Sequence, residues 1–161
     1  MNIYLPCGRV AIVDPEDFDR AIARGAWRSH RSNRGRTYYA RVTTKSGDHA
    51  FLHRFLLGAG AGDVVDHRDG NGLNCTRLNL RVTTRALNNT NQPKRGARSK
   101  FKGVWPAGPS WCAMIASSGK RLYLGTFPTE IGAAMAYDVA ARQLHGEFAR
   151  TNAMLFPEAF A

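Results

Sequence analysis

The spacing of apolar and polar positions predicts short strand-length runs separated by polar turns, with three helical stretches among them. Residues 10–13 read as a strand, and Asp14 and Pro15 then open a short helix through Ala21, with Glu16 and Asp17 at its positive end and Gly25 stopping it. Trp27 to Arg28 and residues 37–42 are predicted as strands of a hairpin whose turn, SHRSNRG, is rich in Gly, Asn and Arg. The arginines of that turn either touch phosphates or are simply solvated. Further on, a strand ends in Asp66-His67, a polar loop follows, residues 80–82 form a second strand, and a helix starts near Arg85.

The C-terminal half repeats the same grammar with a longer helix. FKGVWP, WCAMIAS and RLYLGTF have strand length and glycine-bearing turns between them, and PTEIGAAMAYDVAARQLHG runs at helical period. Ala133, Ala136, Tyr137, Ala140 and Leu144 fall on one helical face, small enough to lie close against a sheet, with Thr129 to cap its start and Gly146 its end. In the strands, Val104, Trp111, Ala113, Ile115, Leu122 and Leu124 are expected to turn toward that helix. Between the halves, QPKRGARSK interrupts any helix with Pro93 and Gly96 and discourages burial with four cations. The expected organisation is therefore a domain at 1–92, a basic linker at 93–100 and a second domain at 101–156, in an α+β fold.

Charge narrows the partner. The 161 residues carry 23 Lys and Arg against 12 acidic side chains, a formal charge of +11, so a polyanion is favoured. Cys7, Cys75 and Cys112 are odd in number and widely spaced, which suits reduced thiols rather than a zinc site or a disulfide framework. MNIYLPCGRV lacks the pattern of a signal peptide and no segment approaches about 20 apolar residues, so no membrane association and a cytoplasmic location are expected.

The chemistry concentrates in LHRFLLGAGAGDVVDHRDGNGLNCTRLNLRVTTRALNNTNQ. Thr84 or Thr83 can cap the helix that follows the second strand, and Asn88 then lies one turn in, where it could share a cation with Asp66. Hydrolysis of a phosphodiester requires a water, a base to take its proton and positive charge at the phosphoryl oxygens, and His67, Asp66 and Asn88 are residue types that supply this. One carboxylate and one amide suit a hard ion such as magnesium. On its own, Asp-His followed by Asp69, Gly70 and Asn71 also describes an Asx-rich turn.

VVDHRDGNGLNCTRLNLRVTTRALNN resembles the HNH endonucleases, especially phage and intron-encoded homing enzymes, over residues 53–92. The resemblance implies a strand-strand-helix (ββα-metal) fold, with His67 as general base, Asp66 and Asn88 as metal ligands and Asn79 bracing the loop. Asn88 stands where the family name has histidine, which is similar to a His-Asn-Asn branch and implies magnesium or manganese rather than zinc. Products would be 3′-hydroxyl and 5′-phosphate ends. GRVAIVDPEDFDRAIARGAW and LHRFLLGA are similar to leaders that precede the motif in phage members, a likeness that gives His53 no chemistry; a histidine entering FLL reads as a packing residue, and Arg54 as a possible phosphate neutraliser. A phage- or mobile-element-type protein acting in a bacterial host cell is implied.

From Lys94 to Arg121 there are seven lysines and arginines and no acidic residue, interleaved with Phe101, Trp105 and Trp111. KGV, LGTF and AAMAYDVAA within this half resemble the Apetala-two or ethylene-response-factor domain, which lays a three-stranded antiparallel sheet in the major groove and packs one helix behind it. Carried over position by position, Lys102, Trp105, Met114, Ala116, Arg121, Tyr123 and Thr126 would face double-stranded DNA, with Lys94, Arg95, Arg98 and Lys100 of the linker along its backbone. Plant members usually offer several arginines where this chain has Trp105, Met114 and Ala116, so guanine readout is sparse here. The expected function is a metal-dependent DNA endonuclease whose monomer nicks, with both strands cut by a dimer or in two successive events; the alternative is a DNA-binding regulator on a non-catalytic HNH scaffold. With an ordinary histidine as base, activity would climb between about pH 6 and 7.

Overall fold

The computed structural model describes the chain except residues 33–36, 44–46, 91–97 and 118 and the side chains of Ala86 and Thr90. It is a mixed α+β protein of small antiparallel sheets in two compact units, Met1–Asn88 and Asn89–Ala161.

In the first unit, β1 (Asn2–Tyr4) and β2 (Val10–Ile12) form a hairpin, followed by α1 (Pro15–Arg24) with Pro15 in its first turn and Gly25 at its C-cap. β3 (Arg28–Arg31), β4 (Tyr38–Thr43) and β5 (His49–Phe51) make an antiparallel sheet in that order. Helix α2 (Leu52–Leu57) leads through a loop to the pair β6 (Val64–His67) and β7 (Leu80–Thr83), and α3 (Arg85–Thr90) follows directly. Alternation explains the packing: Ala40 and Val42 on one face of β4 are buried with Leu52, Leu56, Val13 and Trp27, while Tyr39, Arg41 and Thr43 turn the other way. Trp27 precedes its strand rather than joining it, and its indole N–H donates to the Ala21 carbonyl at 2.8 Å. β3 also runs on to Arg31, into the stretch expected to be turn.

In the second unit, β8 (Val104–Ala107), β9 (Ser110–Ser117) and β10 (Lys120–Phe127) form an antiparallel sheet with β9 central, covered by α4 (Glu130–His145). Thr129 caps α4, its hydroxyl accepting from the Gly132 amide at 3.0 Å. Phe101, Val104, Ala113 and Ile115 are buried against Ala133, Ala134, Tyr137 and Ala141. Two expected core positions differ. Leu144 is 43% exposed because Ala141 and Ala149 close the cluster at that end, and Leu122 is 41% exposed on the edge strand β10. Only glycine fits at position 103, where φ is +74° and a Cβ would meet the Tyr137 ring at 1.9 Å. A short helix α5 (Asn152–Leu155) closes the unit, and Phe156 and Phe160 pack edge-on to Phe101. Among the described residues no helix is long and apolar enough to cross a membrane.

Candidate functional site

The β6–β7 pairing sets Asp66 opposite Arg81 and His67 opposite Leu80. Directly opposed residues share a face, so the Asp66 carboxylate meets the Arg81 guanidinium: one oxygen, Oδ2, accepts from both Nε at 2.9 Å and Nη2 at 2.7 Å. Both residues are buried. Sequence reasoning missed Arg81; the signal was available in the strand register, once residues 64–67 and 80–83 are aligned antiparallel.

His67 projects to the other face, into a cluster of rings. Its imidazole lies 4.9 Å from that of His53, edge to face, and 5.8 Å from Tyr39; His53 in turn stacks on Phe51 at 5.6 Å. His53 is therefore the residue the sequence undervalued. It is a packing residue, but the packing is against the candidate base, because α2 begins one residue after β5 and turns position 53 inward. Burial moves His67 down to about 4, against the opposing pull of the Asp69 and Asp66 carboxylates, and burial with the neighbouring His67 and Arg54 moves His53 to about 3.

A pH prediction follows, and it replaces the rise expected between pH 6 and 7. His67 is neutral across that interval, so protonation of the base limits a reaction only below about pH 5. Stability carries the clearer signature. The folded histidines sit below their unfolded value, so stability is full above about pH 6.5 and is lost as pH falls toward 4, through the two imidazoles acting as one coupled pair. Urea midpoints measured from pH 7 to 4 check this; equal midpoints in His53→Phe and wild type would contradict it.

The loop of residues 68–79 is a network of Asx bonds closed by Asn79, whose Nδ2 donates to Asp69 Oδ1 at 3.0 Å and to the Asn74 carbonyl at 2.7 Å and whose Oδ1 accepts from the Asp69 amide at 3.0 Å. Asn71 and Leu73 amides donate to Asp69 and Asn71 side chains. The Asx-turn reading and the bracing reading of this segment therefore describe the same loop. The rest of the unit holds it from outside. Arg77 makes a two-pronged ion pair with Asp17 at 2.8 Å per contact, its amide donates to Asp14, and Ile12 donates its amide to the Leu73 carbonyl and accepts from the Cys75 amide. Gly72 packs so closely that a Cβ would lie 2.5 Å from the Tyr38 carbonyl and the Tyr39 ring. Thr84 caps α3, accepting from the Leu87 amide at 3.3 Å, and Asn88 sits half-buried one turn in.

In the second unit the register places Trp105 and Thr126 beside Cys112, Tyr123 beside Met114, and Arg121 beside Ala116. Six of the expected contact residues, Trp105, Met114, Ala116, Arg121, Tyr123 and Thr126, thus share the sheet face away from α4, and a register shift at Leu124 brings Thr126 onto it. Lys102 differs from the expectation. Its ammonium lies 5.9 Å from the Tyr137 ring on the helix side, burial and the nearby Arg150 lower it to about 8, and its backbone is clasped by Asn152. The cause is Gly103, whose left-handed turn reverses the chain before β8 begins. Arg98 is exposed and the Lys100 ammonium lies over Phe101 and Phe156; Lys94 and Arg95 fall outside the described residues.

No family model matches the chain. Over 94 residues it is 39% identical to an ethylene-responsive transcription factor of Arabidopsis thaliana, an alignment covering 55% of this chain and 58% of that protein. Over 112 residues it is 36% identical to a protein named "Uncharacterized HNH endonuclease" in Acanthamoeba polyphaga mimivirus, covering 65% and 58% respectively. A dehydration-responsive element-binding protein of Oryza sativa subsp. indica is 44% identical over 64 residues, 40% of this chain and 22% of that one. The chain thus spans little more than half the length of the first two relatives.

Proposed function

We propose that this chain is a metal-dependent DNA endonuclease of the HNH type, with its nuclease site in the first unit and a duplex-reading sheet of the Apetala-two type in the second. The observation that carries it is the buried His67, next after Asp66 on one strand of a two-stranded hairpin, with Asn79 locking the intervening loop and Asn88 on the capped helix that follows. Likeness to a protein named as an HNH endonuclease and to plant proteins named as transcription factors and element-binding proteins supports both halves.

The donor types, one carboxylate and one amide, suit a hard divalent cation, and Asp66 and Asn88 would hold magnesium or manganese. Among the described residues no group of three or more His, Cys, Asp or Glu side chains is placed to hold a metal ion. Such an ion supplies positive charge at the phosphoryl and leaving oxygens. His67 accepts the proton of the attacking water, which a neutral imidazole can do across the physiological range. Asn79 keeps the loop after His67 from shifting, and Arg81 fixes the Asp66 carboxylate plane. Supercoiled plasmid nicked with magnesium, but not with EDTA, is the expected result.

A second reading has support of its own. Arg81 already engages Asp66 with two bonds, and one relative is named as a transcription factor and another as an element-binding protein, which suits a DNA-binding regulator on a non-catalytic scaffold. Binding without nicking under every metal condition would favour it. In either case Arg121→Ala should reduce the slope of log affinity against log salt by about 1, as expected for one lost phosphate contact. Lys102→Ala should leave that slope unchanged, since its amine faces Tyr137.

A further inference from the structure

We propose a second anion site in the first unit: Arg28 and Arg41, paired across β3 and β4, together grip a backbone phosphate of the nucleic-acid strand a few nucleotides from the one approached by His67. The placement of the cut rests on the nuclease reading; the anion site itself does not.

The register sets Arg28 directly opposite Arg41, and Arg41 directly opposite Phe51. Opposed residues of an antiparallel pair have Cβ atoms about 5 Å apart, and like charges at that separation repel. A pair of this kind is normally relieved by a carboxylate. Here neither guanidinium has one among the described residues. The opposite face of β4 is fully committed to the core through Ala40 and Val42, so the arginine face is the outward one, with Arg28 exposed and Arg41 half-buried.

The same outward face carries His30, Tyr39 and Phe51, and these rings run to the candidate base. His30 meets Phe51 at 5.5 Å, Tyr39 meets Phe51 at 5.9 Å, and Tyr39 meets His67 at 5.8 Å. Arg41 is two residues from Tyr39 on β4, about 7 Å along the strand. Two unrelieved cations joined to the site by a plate of rings form a surface that a phosphodiester backbone complements in charge, with room for a sugar or base to lie over the rings. The chain's net charge of +11 suits the same ligand.

The test uses the full chain in EDTA, binding a duplex between 50 and 200 mM salt. Arg28→Ala/Arg41→Ala is compared with wild type and with Arg24→Ala/Arg142→Ala, which removes the same charge elsewhere. Because the two arginines share one phosphate, the pair variant should lower the salt slope by about 0.9, so that over this range wild type loses roughly three- to fourfold more affinity than the variant does. Its thermal midpoint should stay level or rise, because a repulsion has been removed. Equal slopes in wild type and pair variant, an equal drop in the control, or a lowered midpoint would each overturn the proposal. Nicking in magnesium is scored separately. A reduced slope in a chain whose wild type never nicks keeps the anion site and defeats the nuclease reading, whereas nicking with unchanged slope does the reverse.

Discussion

Full-length chain carrying His67→Ala is expected to lose magnesium-dependent nicking by roughly 10²- to 10⁴-fold, the usual contribution of a positioned general base. The imidazole is buried, neutral and set on the strand that also presents Asp66, and no other histidine occupies that strand. His53, 4.9 Å away, is the natural candidate to substitute, but it lies on α2 within the ring cluster. Truncating a buried ring also leaves a cavity, so duplex binding and the thermal midpoint of the variant must be measured beside its activity. Nicking lost with binding kept assigns the loss to chemistry. Nicking retained within a few-fold of wild type would remove His67 from the mechanism.

Removing either partner of the Arg81–Asp66 pair should destabilise the first unit by about 3 to 5 kcal/mol, because the other charge is left buried without compensation. Arg81→Leu and Asp66→Leu are therefore both expected to lower the urea midpoint strongly. The double variant Asp66→Leu/Arg81→Leu should recover much of that stability, since apolar groups can replace a buried pair without a large net loss. Its activity is the informative measurement. If Asp66 holds metal, the double variant is folded and inactive, separating the carboxylate's part in the reaction from its part in packing. A double variant that nicks like wild type would show that Asp66 serves the fold alone.

The sequence made some of this architecture legible because local signals and tertiary packing agree. Pro15 and Gly25 bracket α1, Thr129 and Gly146 bracket α4, and an apolar run of strand length marks β9. The segments that were not anticipated are the short ones. β1, β5 and α2 have three to six residues, too few for a period to emerge, and are fixed by contacts distant in the chain such as Leu52 and Leu56 against Trp27 and Ala40. At the candidate site the residue types and their order were readable, whereas partners were not. Arg81 on Asp66, His53 on His67 and Arg77 on Asp17 depend on register or on approach across as many as 60 positions. Lys102 was misplaced for a related reason: alternation was extended into a turn that Gly103 reverses.

The tail of the second unit behaves as a latch. Asp138, sunk in the middle of α4, accepts the amides of Asn152 and Ala153, and Asn152 reaches onward to clasp both backbone groups of Lys102 ahead of the first strand. One asparagine thereby ties together the beginning, the middle and the end of some fifty residues. Any shortened version that stops after α4 would leave a carboxylate stranded in the interior and the entrance to the sheet unfastened, so the smallest portable form of this unit has to include the residues beyond 150.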